Sequence, residues 1–474
     1  MTQKTTPEKV VIIGAGPAGL TASYILTQKG ISNSLLEKDT VVGGISRTVH
    51  YKGFHFDIGG HRFFTKVKPV EAIWHEVLRN DFLLRPRLSR IYYKQKFFYY
   101  PLKPVNALLG LGFFNSFLIF LSYLKIRIKP LEKEENLEQW VINRFGKRLY
   151  KTFFKTYTEK VWGIPCTEIR AEWAAQRIRG LSLRSALWNA IVKPRGKKIK
   201  TLIDEFHYPK KGPGQLWEKV AEKIGEKNNI YFERDVVRIE RDGFKILSIK
   251  TKTPTGEKTV YAGSHFISSM PLRHLLENMK PKIPDEILQA AQCLKYRDFL
   301  TVALIIKKRD IFPDNWIYIH DPSVQVGRIQ NFKNWSPFMV PDPEYTCLGL
   351  EYFCFEKDGL WNKSDEALIR QGAKELEQIG IVRAEEVIDG SVVRMPKAYP
   401  VYDSGYQNHI KTIQDFVDRF ENLYPVGRNG MHKYNNQDHA MYTAILAVEN
   451  MFGAKHNLWE VNTDMEYHEE QKLS

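Results

Sequence analysis

The chain has 474 residues, 43% hydrophobic and 26% charged, which is a globular composition with material for about three structural units and excludes a disordered or fibrous protein. Seventy Lys and Arg against 54 Asp and Glu leave a net charge of +16, which points to an anionic partner, but no recognition motif accompanies the charge and nucleic acid is not expected. Four cysteines (Cys166, Cys293, Cys347, Cys354) form no CxxC pair, so neither a disulfide scaffold nor a metal site is expected; with a start that runs straight into VVIIG, a cytoplasmic protein is expected.

Residues 10 to 37 read as strand, glycine turn, helix, strand. In GAGPAG, Gly14 permits the tight turn, Gly16 lets backbone approach a pyrophosphate, and Gly19 lets helix pack on strand. Pro17 and Ala18 open the helix at its positive end, where phosphate is favoured. Glu37, followed by Lys38, ends the second strand and is placed to accept from a ribose diol. A dinucleotide site follows from this arrangement. Two further glycine pairs, Gly43-Gly44 ahead of Arg47 and Gly59-Gly60 ahead of His61, supply more close backbone approach than a nicotinamide dehydrogenase needs, and so favour FAD.

The stretch 105 to 124 carries no charge and approaches spanning length, with Lys125, Arg127 and Lys129 just beyond it. Asn106, Asn115, Ser116 and Ser122 interrupt it, so it is read as a buried or groove-lining helix, with a peripheral membrane contact left open. Helical periodicity dominates from 103 to 188, and a basic connector, KPRGKKIK, occupies 193 to 200. Period-two alternation marks 229 to 270, strands recur over 298 to 355, and the last fifty residues return to a glycine turn and a helix. The fold class expected is α/β. A discontinuous Rossmann-like FAD-binding domain (1–86, 207–275, 405–474) carries a helical insertion (103–206) and an antiparallel-sheet substrate domain (87–102, 276–404).

The elements GGHRFF, RLSRIYYKQKFFYYPLKPV, EKVWGIP with EWAAQRIRGLSL, VGRIQNFKNWSPF, AYPVYD and GRNGMHKYNNQDH, in this order, resemble those of UDP-galactopyranose mutases, a branch of the FAD-dependent amine oxidase and protoporphyrinogen oxidase superfamily. The resemblance implies FAD active in its reduced form, NAD(P)H being a candidate reductant, and a nucleotide-sugar substrate converted between pyranose and furanose. It implies that the flavin N5 attacks the anomeric carbon while the nucleotide diphosphate leaves and returns. Catalytic roles fall on His61, Arg177 and Arg328, the arginines gripping the diphosphate. Substrate contacts fall on Tyr100, Lys103, Trp335, Tyr399, Tyr434 and Asn436. Cofactor contacts beyond the GAGPAG turn, Glu37, Lys38, the two glycine pairs and His61 fall on Val236, Arg428, Asn436, Gln437 and Asp438. Self-association is left open.

Lys103 and Trp335 depart from that branch's pattern, standing where a neutral amide and a tyrosine are usual. A second function therefore stands beside the first: an FAD-dependent oxidase or desaturase, for which the apolar 105 to 124 stretch would line a lipid entry.

Overall fold

The structure, a computed structural model, describes residues 8–100, 102, 104–171 and 205–462. Five parallel strands form the first sheet, in the order Leu423–Pro425, His265–Ser268, Lys9–Ile13, Ser32–Leu36, Asn229–Tyr231. The central strand, KVVII, is an unbroken apolar run because both its faces are covered; Val10, Val11 and Ile12 are wholly buried. Helices Pro17–Gln28, Lys68–Leu78, Gly214–Gly225 and Gln437–Met451 cover one face, where Val10, Ile12, Leu20, Trp74, Trp217 and Met441 share a core. Three segments remote in sequence thus close one sheet.

The other face packs Val11, Leu36 and Phe266 on Ile239 and Ile249 of a four-stranded sheet (Asp235–Asp242, Lys245–Lys252, Lys258–Ala262, Met279–Lys280). Helices Leu272–Glu277 and Asp285–Gln292 bury Leu275, Ile287 and Ala291 in this same core. By packing, the sheet-rich unit therefore begins nearer Tyr296 than residue 276, since the apolar faces of these short helices are satisfied on the nucleotide side.

Seven strands form the second layer, in the order Val387–Pro400, Tyr296–Ile306, Thr346–Cys354, Arg328–Asn331, Trp316–Ile319, Ser89–Tyr93, Lys96–Tyr99. All neighbours are antiparallel except Trp316–Ile319 with Ser89–Tyr93. One side of this sheet packs under helix Asp365–Gln378, with Leu304, Leu350 and Leu368 buried. The other side faces the Gly59–His61 loop.

The helical unit joins Leu137–Phe145 to Thr156–Trp162 through a π-helical turn at Tyr150–Lys155. Such widened turns re-aim the side chains that follow them. Lys160 then locks the last helix to the sheet, donating to the carbonyls of Ile319 (3.2 Å), Asp321 (2.9 Å) and Val326 (3.1 Å). The 105 to 124 stretch departs from the buried helix expected. It forms two helices, Pro104–Leu111 and Phe113–Ile128, broken at Gly112 (φ +80°), and only inward positions such as Ile119 and Ile126 reach the core.

Candidate active site

The glycines of the first turn divide by physical task. Gly14 (φ +92°) would place a Cβ 2.3 Å from Ser269 Oγ, and Gly19 would place one 1.8 Å from the Gly14 carbonyl, so both are demanded by packing. Gly16 is different: a Cβ there meets nothing within 4 Å among the described residues. Its space lies at the N-terminus of the Pro17–Gln28 helix, where unpaired amides and the helix dipole favour an anion. Gly44 (φ +53°) comes close enough that its Cβ would lie 3.3 Å from the Gly16 Cα, and Gly43 donates to the Ala15 carbonyl at 2.8 Å. A cradle of bare backbone results. Glu37 closes its far end, accepting from Ala15 N (2.5 Å) and Asp39 N (2.8 Å); burial raises its pKa, against those amide bonds. Lys38 is exposed and paired with Asp235 at 3.3 Å, and Val236 is buried two residues past Arg234, whose amide donates to the Glu37 carbonyl.

The closing turn completes the cradle. Gly427 (φ +76°) would put a Cβ 2.9 Å from the Ala18 Cβ, so helix and turn touch at their bare points. Asn436 caps the Gln437–Met451 helix, leaving a second helix N-terminus facing inward. Asp438, buried in its first turn, bonds to Thr65 and so ties this helix to the segment after His61; burial raises its pKa to about 7. The Gln437 side-chain oxygen is buried without a partner among the described residues, as is that of Asn429. Orphaned acceptors beside a glycine-lined cradle with two helix N-termini fit a large polar cofactor such as FAD.

From the cradle a relay of side chains leads into a cleft. Trp335 Nε1 donates to Asn315 O (2.9 Å) and Gln330 Oε1 (3.1 Å); Gln330 Nε2 donates to Glu351 Oε1 (2.7 Å); and Arg328 donates to Glu351 Oε2 at 2.5 Å. This relay backs the Gly59–Gly60 turn, since a Cβ on Gly60 would lie 2.9 Å from Gln330 Nε2. Arg328 faces the phenols of Tyr157, Tyr318 and Tyr399. Arg428 is anchored by the carbonyls of Asn435 (2.9 Å) and Ala398 (3.0 Å), and its guanidinium lies 5.1 Å and 5.0 Å from the rings of Tyr399 and Tyr434. Those two rings are near-parallel with centroids 5.7 Å apart. Tyr100 meets Tyr318 at 4.9 Å, and Tyr318 meets Tyr157 at 5.6 Å. Burial raises the Tyr399 phenol above its ordinary value, Tyr434 adding to this and Arg328 and Arg428 opposing it. Burial pushes the Tyr157 phenol up strongly. These hydroxyls stay protonated and can donate.

Arg328, Tyr100, Tyr399, Tyr434, Arg428 and His61 thus share one cleft. The His61 ring is turned back to the Ile58 carbonyl (2.9 Å) and is held neutral, burial lowering its pKa to about 4, with Arg428 and Arg328 also lowering it. Trp335 is placed differently from expectation. Its indole is 2% exposed, packed among Trp316, Phe206 and Tyr208, so it supports the Gly60 turn from behind instead of facing a ligand. Arg177 and Lys103 lie outside the described residues. Tyr157 and Tyr318 were not singled out from sequence. Among 23 tyrosines nothing local marks them; the π-helical turn and the Lys160 anchor do, and both are tertiary features.

The Flavin containing amine oxidoreductase family matches residues 17–416, and the chain belongs to it. An L-amino-acid oxidase of Crotalus adamanteus is 24% identical over 323 residues, 65% of this chain and 60% of that protein. A 4,4'-diapophytoene desaturase (4,4'-diapolycopene-forming) of a Methylomonas species is 34% identical over 100 residues, 21% of this chain and 17% of that one. The match thus spans less than two thirds of the length of these relatives. Among solved structures, reduced UDP-galactopyranose mutase shares the fold with a TM-score of 0.83 at 22% identity, over 97% of this chain and 98% of that one. The protein is a flavoenzyme whose cofactor is FAD, and its α/β fold of a parallel sheet with antiparallel sheets is the class expected from its sequence.

Proposed function

We propose that this FAD-dependent enzyme interconverts ring forms of the sugar in a nucleotide-diphosphate sugar, without net redox change. The observation that carries the reading is the cleft wall. Arg328 and Arg428 stand among five tyrosines, with Glu351 the carboxylate paired to Arg328 among the described residues. Two guanidiniums against one carboxylate leave a positive wall, suited to a leaving group that must be gripped while detached.

Reduced FAD would supply a nucleophilic nitrogen and finish in the same redox state. The bare backbone at Gly16, Gly43 and Gly44 would hold its pyrophosphate, and Glu37 its ribose. Arg328, aligned by Glu351, would fork onto the diphosphate; Tyr157, Tyr318, Tyr399 and Tyr434 would donate to its oxygens. Arg177 is proposed to bind the diphosphate and Lys103 the substrate, both on the sequence resemblance alone, and Asn436 to contact ligand from the helix start. The His61 ring, neutral and turned to Ile58, contributes through its loop: the Gly59–His61 backbone would lie against the flavin. The likeness to UDP-galactopyranose mutase in fold is consistent with this reading and does not select the sugar or the nucleotide.

A second reading, an amino-acid or amine oxidase, is favoured by the L-amino-acid oxidase likeness over 65% of the chain. The test separates the two. Dithionite-reduced protein is incubated with a panel of nucleotide sugars and the products are separated by chromatography. Furanose product with no reductant consumed supports the mutase. Hydrogen peroxide formed stoichiometrically from an amine or amino acid, with every nucleotide sugar unchanged, replaces it with the oxidase.

A further inference from the structure

We propose that the outer face of the Pro104–Leu111 and Phe113–Ile128 helix pair docks, in plane, on an anionic lipid bilayer surface. From Phe113 to Leu124 the second helix carries no charge and has apolar residues on opposite sides, a pattern that ordinarily marks a helix enclosed on every side. Here only one side is enclosed. Ile119 and Ile126 pack on the helical core, Ser122 Oγ accepts from Arg148 N (3.1 Å), and Gly146 is pressed so close to the Tyr123 backbone that a Cβ would lie 2.9 Å away. On the opposite side Phe113 is 81% exposed, Phe114 72% and Ile128 84%, with Phe117, Phe120 and Leu121 half-exposed between them. The first helix adds Leu109, 72% exposed. Single exposed apolar residues are ordinary; a continuous ridge of seven is not.

Charge selects the occupant. From Phe82 to Leu131 the chain contains no Asp or Glu, but nine Lys and Arg. Lys125, Arg127 and Lys129 are exposed at the end of the ridge. Aromatic and aliphatic groups that can sink past the headgroups, bordered by cations that can pair with them, are the components of an interfacial helix. A second copy of the chain fits less well, because a two-fold contact would set this acid-free stretch against itself. A transmembrane role is not available to the pair, since no helix among the described residues is long and apolar enough to cross a membrane.

The test uses the full-length flavoprotein. Flotation with phosphatidylglycerol–phosphatidylcholine vesicles is compared with phosphatidylcholine vesicles alone, at low and high salt. One variant carries Phe113→Ser, Phe114→Ser and Phe117→Ser; another carries Lys125→Glu, Arg127→Glu and Lys129→Glu. The wild type is expected to float with the anionic vesicles, more weakly in high salt, and each variant to lose about tenfold or more in apparent affinity with FAD content and melting temperature unchanged. Absence of flotation, or both variants floating like wild type, overturns the proposal. So does a concentration-dependent dimer in sedimentation velocity that the Phe variant abolishes, which would give the face to a second copy.

Discussion

Arg328 and Glu351 are cross-strand partners whose side chains meet at 2.5 Å, with the carboxylate wholly buried and the guanidinium 21% exposed toward the cleft. The pair fixes the guanidinium plane, because two of its nitrogens, Nε and Nη2, both reach Oε2. Arg328→Ala leaves a buried carboxylate alone, which costs on the order of 3 kcal/mol of stability. It should also weaken nucleotide-diphosphate binding by about ten- to a hundredfold, the value of one charge-assisted contact. Arg328→Lys keeps charge without the fork and should fall between. Calorimetric titration with nucleoside diphosphates, beside thermal unfolding, separates the two effects. Lowered stability with wild-type affinity would make Arg328 a structural cation and remove the support for a sugar-nucleotide substrate.

Gly16 and Gly19 should fail in different ways. At Gly16 a side chain meets open space, so Gly16→Val should give folded protein that purifies colourless, its pyrophosphate seat filled. At Gly19 a Cβ would overlap the Gly14 carbonyl, so Gly19→Val should not accumulate as folded protein. Flavin absorbance per mole of protein and far-ultraviolet circular dichroism report the two outcomes. Fully flavinated Gly16→Val protein would show that the phosphates sit elsewhere.

Tyr157→Phe should keep flavin content and melting temperature, since its ring would retain the stack on His320 (4.6 Å, 8°). Loss of one hydroxyl donor should lower kcat/KM by about five- to tenfold. Steady-state assay with the substrate identified by the panel measures it; unchanged kcat/KM would confine Tyr157 to packing.

The nucleotide half of the fold was legible because its constraints are local. GAGPAG must be a turn with bare backbone, and KVVII must be a central strand, whatever else the chain does. The cleft was legible only where a motif carried its residue, as with Arg328 and Tyr399. Tyr157 lies on an unremarkable helix and gains its position from a π-helical turn and from Lys160 reaching three carbonyls on another layer. Trp335 shows the converse. Its place in a motif suggested a ligand, while its indole N–H had two internal acceptors available through Asn315 and Gln330, which only the folded sheet brings together. The ridge at 109 to 128 misled for a similar reason: composition reports that a helix is apolar, and not whether enough partners exist to cover it.

Stability should rise with pH up to about 6.5 and dip just above it. Burial holds His55 and His61 down to about 4, and His320 and His432 to about 3. The unfolded chain takes up these protons near pH 6.5 and the folded chain does not, so their contribution is lost as pH falls from about 6.5 toward 4. Asp57 and Asp438 act with the opposite sign. Burial raises both to about 7, so the folded chain keeps protons that the unfolded chain releases near pH 4, and stability is lost as pH rises toward 7. Four groups outweigh two below pH 6.5, and only the aspartates act just above it. Asp57→Asn isolates the second limb: Tyr208 and Thr48 donate to opposite carboxylate oxygens, so the amide oxygen keeps one of them while its NH2 donates to the other hydroxyl. Its melting temperature relative to wild type, followed by circular dichroism at saturating FAD, should rise from pH 5 to pH 8. A difference that stays constant over that range would mean that Asp57 does not titrate there.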